Sequence, residues 1–198
     1  MRRGHLDGAA TSLSVVMPAY NEAERIAESI KTTVEALSRW NSSFEVILVD
    51  DGSTDETARI GVALQQRLAP LVRFVPLSKN SGKGAAFLAG AAAAHGEYVA
   101  LFDADLDIHP SQIKALFEAM EATRASMVVG SKWHPDSNVE YPPLRRLISR
   151  AYWKLTQTLF RLPVRDTQTG IKMLRGNVIS DVLPRATLKF DRSATSRA

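Results

Sequence analysis

The chain has 198 residues, 25 Lys and Arg against 21 Asp and Glu, a formal net charge of +4, and 45% hydrophobic residues. That balance excludes disorder for the bulk of the chain, and the length suits one domain with a substantial core. With no cysteine, disulfide frameworks, zinc–thiolate sites, iron–sulfur clusters and thiol nucleophiles are excluded too.

Residues 1–11 begin with Met1-Arg2-Arg3 but no apolar core follows, so they read as a short disordered tail and not as a signal peptide. Continuous apolar runs then predict strands over 13–17, 44–49, 71–77, 98–102 and 126–129, of the kind covered on both faces. Helices are predicted between them over 22–39, 54–68, 83–95 and 111–124, each opening near a good N-cap or first-turn residue. Repeated β–α alternation implies an α/β fold: a mainly parallel sheet with right-handed crossovers and helices on both faces. The longest apolar stretch, residues 85–94, is mostly Ala and Gly and falls short of the roughly 18 residues of a membrane span. The expected location is the cytosol.

Ligands of such sheets collect beyond the carboxyl ends of the strands. Polar and acidic residues cluster there: Pro18-Ala19-Tyr20-Asn21-Glu22 after the first strand, Asp50-Asp51-Gly52-Ser53-Thr54-Asp55 after the second, Asp103-Ala104-Asp105-Leu106-Asp107 after the fourth. Lys79-Asn80-Ser81-Gly82-Lys83-Gly84, after the third, matches neither the P-loop nor the dinucleotide fingerprint, since residue 77 is Leu and residue 87 is Phe. In an extended chain Asp103, Asp105 and Asp107 face one way, and a divalent cation would relieve their repulsion. Magnesium is typically held by one or two carboxylates together with substrate phosphates. Taken alone, Asp-x-Asp more commonly just solvates a turn and caps the next helix. In the second loop Gly52 permits the turn and Ser53 or Thr54 caps the following helix, which leaves one of Asp50 and Asp51 to accept from a base N–H or a ribose hydroxyl.

In this order and with these gaps, the set resembles the family 2 glycosyltransferases of the GT-A fold. The resemblance runs from residue 13 to about residue 175. It is carried by Val15-Val16-Met17-Pro18-Ala19-Tyr20-Asn21-Glu22, Val49-Asp50-Asp51-Gly52-Ser53-Thr54-Asp55, Asn80-Ser81-Gly82-Lys83-Gly84, Asp103-Ala104-Asp105, Gly130-Ser131-Lys132 and Asp166-Thr167-Gln168-Thr169-Gly170-Ile171-Lys172. Within the family the chain looks most like the polyprenyl-phosphate (dolichyl-phosphate) hexosyltransferases. The resemblance implies that Pro18, Tyr20, Glu22, Asp50 and Asp51 line the nucleoside pocket, with Lys83 and Ala104 also at the donor. It further implies that Asp103 and Asp105 hold a Mg2+ or Mn2+ bridging the diphosphate. Asp107 stands where many relatives carry Gln, so it is either a third carboxylate for the metal or a residue facing water.

Residues 141–175 hold eight Lys or Arg against Asp166 alone, which leaves the rest of the chain at net −3. At 100° per residue, a helix over 144–159 gathers Leu144, Leu147, Ile148, Ala151, Tyr152, Leu155 and Leu159 on one stripe, with Arg146, Arg150 and Trp153 opposite. That face fits either a membrane surface or plain solvent. Nucleic acid is not an expected partner, because the carboxylate loops repel a polyanion and no base-stacking aromatic series appears. A lipid phosphate suits the patch better. Lys132, where relatives often have Arg, and Arg145, Arg146 and Arg150 are the candidates to bind an acceptor phosphate.

A polyprenyl phosphate needs no general base, since its oxygen is already ionised; a hydroxyl acceptor needs one, and Asp166 is then the candidate. Its other role would be an ion pair with Arg165 or Lys172. The catalytic set expected from the sequence is thus Asp105, Lys132 and Asp166. Residues 12–184 are read as one domain, with a donor half to about 131, an acceptor half over 132–184, and a tail over 185–198. Because relatives usually continue further, the acceptor half reads as shortened. A hydroxyl acceptor, or nucleotide-sugar binding without transfer, are therefore the alternatives to an inverting transfer of hexose to polyprenyl phosphate. The donor is UDP-glucose or GDP-mannose, with residues 166–170 leaning to glucosyl relatives and 105–110 to mannosyl ones, and the balance slightly to glucose.

Overall fold

The computed structural model describes residues 12–40, 43–130 and 170–191. In chain order come β1 (Ser12–Ala19), α1 (Ile26–Trp40), β2 (Ser43–Asp50), α2 (Thr57–Leu68), β3 (Val72–Pro76), α3 (Lys83–Ala93), β4 (Tyr98–Phe102), α4 (Gln112–Thr123), β5 (Met127–Val129), β6 (Ile171–Arg175) and α5 (Gly176–Asp191). The strands make one sheet in the order β3-β2-β1-β4-β6-β5. β3, β2, β1 and β4 run parallel, as the β–α alternation predicts. β6 lies between β4 and β5 and is antiparallel to both.

The pleat divides the apolar strand residues between two cores. Leu13, Val15 and Met17 of β1 join Val46 and Leu48 of β2 against Ile26, Ile30 and Leu37 of α1, Leu64 of α2 and Ile113, Leu116 and Met120 of α4. Val16, Ile47, Val49 and Val99 face the other way, onto Ala86 and Ala91 of α3 and Ile179 of α5. Both sheet faces are therefore covered, which is why the strand runs read as continuous.

Two elements escaped the sequence reading. In β6 only Ile171 and Met173 are fully buried, at 3% and 0% exposure, and Lys172 and Arg175 interrupt the apolar run. Arg175 nevertheless fastens the strand: Nη1 donates to the Tyr98 hydroxyl at 3.0 Å, Nη2 to Glu121 Oε1 at 2.9 Å and Nε to the Ala125 carbonyl at 3.2 Å. The Tyr98 hydroxyl donates to Glu121 Oε1 at 2.6 Å, and burial together with that carboxylate pushes the phenol above its usual range. The second element, α5, runs to Asp191 and so crosses the boundary at 184 beyond which a tail was expected. Pro184 costs the helix one backbone hydrogen bond, but good helix formers such as Ala186, Leu188 and Lys189 follow it.

Where the strands begin, the carboxylate of Glu45 accepts from Ser14 Oγ at 2.7 Å, His95 N–H at 2.8 Å and Arg73 Nη1 at 3.0 Å. Burial raises its pKa, but these donors together outweigh burial and hold the carboxyl below its usual range. The bond from the His95 N–H helps end α3 at Ala93, two residues before the predicted end.

Candidate functional site

Parallel strands bring four loops to one edge of the sheet, and the loops after β1 and β2 are tied directly together. Asn21, at φ 55°, accepts the Thr54 N–H on its side-chain oxygen at 2.9 Å and donates its own N–H to Ser53 Oγ at 2.9 Å. The Glu22 N–H donates to Thr57 Oγ1 at 2.9 Å and the Ala23 N–H to Asp55 Oδ2 at 3.2 Å. Hydrogen bonds from Thr57, side chain first, keep the Asp55 carboxyl below its usual range although burial opposes them. These cross-links explain why α1 and α2 start later than predicted. Glu22 and Ala23 bond to Thr57 and Asp55 across the two loops, and Ser53 and Thr54 hold Asn21 instead of capping α2.

Asp50 and Asp51 are buried, at 2% and 4% exposure. Asp50 Oδ1 accepts the Ser53 N–H at 3.2 Å. Both oxygens of Asp51 accept backbone N–H groups of the loop before α3, from Ser81 and Gly82 at 2.8 Å each. Asp51 is thus an anchor of that loop, and any nucleoside contact must use its remaining lone pairs. Gly52, at φ +68°, lies against the backbone of Lys79 and Asn80. Of the remaining nucleoside candidates, Tyr20 is 42% exposed, and Pro18 and Glu22 are half-buried.

The loop after β4 is held from below and from the side. Ala104 is buried, and its carbonyl accepts the hydroxyl of buried Ser29 on α1. Asp103 Oδ1 is ion-paired with Lys83 Nζ, at the first residue of α3. Asp103 Oδ2 lies where a Cβ on Gly170 would overlap it, so any larger residue at the entrance to β6 would push that carboxylate aside. Asp105 is exposed and accepts the Asp107 N–H on Oδ1 at 3.1 Å, around Leu106 at φ 58°. Asp107 is also exposed.

Among the described residues no group of three or more His, Cys, Asp or Glu side chains is arranged around one point, so Asp103, Asp105 and Asp107 do not form a three-carboxylate cage. Two hard carboxylates at the end of β4, one already paired with a cation, are a donor set that fits Mg2+ or Mn2+ completed by substrate phosphates. Lys132, Arg145, Arg146, Arg150 and Asp166, and the helix predicted over 144–159, lie outside the described residues.

One supporting residue and two contacts went unrecognised in the sequence. Ser29 had a signal: a hydroxyl on the apolar stripe Ile26, Ile30 and Leu37 of α1 requires a partner. The pairing of Lys83 with Asp103 and the packing of Gly170 on it had none, since they join residues distant in the chain.

Four parallel strands, an antiparallel strand inserted next to the fourth, and acidic loops at the carboxyl edge define the GT-A class of α/β fold. The chain belongs to the family described as Glycosyl transferase family 2, whose profile matches residues 14–183. Glycosyltransferase AglD of Haloferax volcanii is 35% identical over 169 residues, covering 83% of this chain and 26% of that protein. A dolichyl-phosphate beta-glucosyltransferase of Dictyostelium discoideum is 28% identical, covering 92% and 59%. An undecaprenyl-phosphate 4-deoxy-4-formamido-L-arabinose transferase of Edwardsiella ictaluri is 38% identical, covering 86% and 51%. The chain thus spans between about a quarter and three-fifths of these relatives. A mannosyltransferase from Pyrobaculum calidifontis, solved with GDP-Man and Mn2+, superposes with a TM-score of 0.61 at 19% identity, over 86% of this chain and 46% of that one. That likeness concerns the fold.

Proposed function

We propose that this chain moves a hexose, with inversion, from a nucleotide-diphosphate sugar to a polyprenyl phosphate. The observation that carries the reading is the pair of relatives named for dolichyl- and undecaprenyl-phosphate transfer, each aligned over most of this chain. The site supports it with a loop anchored on buried Asp51 for the nucleoside side and Asp103 and Asp105 for the diphosphate side. Asp103 and Asp105 would hold Mg2+ or Mn2+, which when bound supplies positive charge against the departing diphosphate. The acceptor phosphate oxygen attacks the anomeric carbon as the bond from that carbon to the diphosphate oxygen breaks, so the nucleoside diphosphate leaves and the configuration inverts. No proton has to be removed from an ionised acceptor, and the protein's work is to align the two substrates and stabilise the leaving charge. Lys132, Arg145, Arg146 and Arg150 are the residues we assign to the acceptor phosphate; as a lysine, residue 132 gives up bidentate recognition.

The test uses the protein with Mg2+ or Mn2+, a polyprenyl phosphate, and labelled UDP-glucose or GDP-mannose. Label is expected in the organic phase, with UDP-glucose the better donor. No extractable label with either donor would overturn the reading. Among the described residues no helix is long and apolar enough to cross a membrane, and we assign the contact with the lipid to the basic residues of 144–159. Reversing both Arg146 and Arg150 to Glu is expected to weaken sedimentation with anionic vesicles roughly tenfold or more, with donor affinity in calorimetry unchanged. Equal sedimentation would remove the membrane contact.

A further inference from the structure

We propose that Lys83 is a displaceable counter-ion of Asp103, holding the metal carboxylate until a donor arrives and then passing to the donor's diphosphate. This rests on the proposed role of Asp103 and Asp105. Both oxygens of Asp103 are covered: Oδ1 by the ammonium of Lys83, Oδ2 by the backbone at Gly170, where even a methyl group would overlap. The Gly170 side is backbone at the start of a strand paired with β4 on one side and β5 on the other, and it cannot withdraw cheaply. The Lys83 side can, because that side chain is 52% exposed while Asp103 is 27% exposed. A cation binding Asp103 through Oδ1 therefore takes the place where the ammonium now stands.

Lys83 is also placed for the second half of the exchange. It follows directly on Ser81 and Gly82, whose N–H groups are hooked to Asp51, so the root of its side chain is tied to the loop after β2. A long, flexible lysine rooted there can exchange one oxyanion for another without moving the helix that carries it. The pairing keeps Asp103 oriented in the empty protein, and the ammonium it releases adds positive charge to the diphosphate side of the site.

The experiment measures Mn2+ affinity by electron paramagnetic resonance with and without UDP-glucose, for the wild type, Lys83→Met and Lys83→Arg. A half-exposed ion pair is worth up to about 1 kcal/mol, so Lys83→Met should bind Mn2+ alone roughly two- to fivefold more tightly than the wild type. It should also bind UDP-glucose with Mn2+ more weakly. Lys83→Arg should stay near the wild type in the first measurement, and urea unfolding verifies that all three chains fold. If Lys83→Met leaves the affinity for Mn2+ alone unchanged or weaker, the exchange is wrong while the metal site stands. If the wild type binds no Mn2+ even with UDP-glucose, the metal site and the exchange fall together.

Discussion

Asp105→Ala is expected to lower hexose transfer about 100-fold or more and to remove the metal-dependent part of donor binding, while the fold survives. The reason is that its carboxylate has so little structural work. It is exposed, and among the described residues the only bond to it is the 3.1 Å contact from the Asp107 N–H, worth about 1 kcal/mol. A large loss of activity with a small loss of stability therefore points to the chemistry, where charge developing on the leaving diphosphate must be met. Asp107→Ala serves as the partner variant. The three carboxylates do not surround one point among the described residues and Asp107 is exposed, so the change should cost less than about threefold. Transfer rates and calorimetric titrations with and without Mn2+ distinguish the two variants. Equal losses would mean that Asp107 is a ligand after all, and an unaffected Asp105→Ala would remove the metal site.

Gly52→Ala should be among the most destabilising single substitutions in the donor half. The position has φ +68°, and a Cβ there would stand 2.6 Å from the Asn80 nitrogen and closer still to the Lys79 carbonyl carbon. Backbone cannot swing aside as a side chain can. Strain and overlap together should cost about 2–5 kcal/mol, a large share of the 5–15 kcal/mol that usually holds a domain together. Gly82→Ala is the control: φ is +88° and ψ 155° but nothing lies within 4 Å of the added atom, so backbone strain alone, about 1–3 kcal/mol, should remain. Urea unfolding midpoints give the comparison. Similar losses at the two positions would show that the β2 and β3 loops do not lean on each other as described. Because Lys79 and Asn80 lead into the residues that Asp51 grips, Gly52→Ala should weaken donor binding even where the chain stays folded.

Much of the arrangement was legible because parallel strands write their position into the sequence. Val15, Val16 and Met17, or Ile47, Leu48 and Val49, are buried from both sides, and so each run marks a central strand and the polar residues after it mark the ligand edge. β6 is less legible since only its alternate residues are buried and its place between β4 and β5 is decided by chain neighbours far away. Asp51 shows the limit for the site. Its position at a strand end was readable, but the Ser81 and Gly82 N–H groups that occupy its oxygens come from a different loop. For the same reason a sequence pattern could name Lys83 and Asp103 without joining them. The helix starts at Ile26 and Thr57 were missed on similar grounds, because Glu22, Ala23 and Asp55 satisfy one another across loops before helical bonding takes over.

The pairing of β5 with β6 has an evolutionary consequence. The Gly130 N–H donates to the Ile171 carbonyl at 3.1 Å, so the positions flanking 131–169 in the chain are fixed side by side on adjacent strands, with Gly170 next to the carboxylate of Asp103. Closing a longer excursion between two points already fixed costs only about 0.6 kcal/mol for each doubling of its length. A change in the length of that stretch therefore asks little of the pairing of β5 with β6, which already fixes both ends. The architecture works as a socket with an exchangeable insert, in which the contact of Gly170 with Asp103 is the seam the two must keep in common.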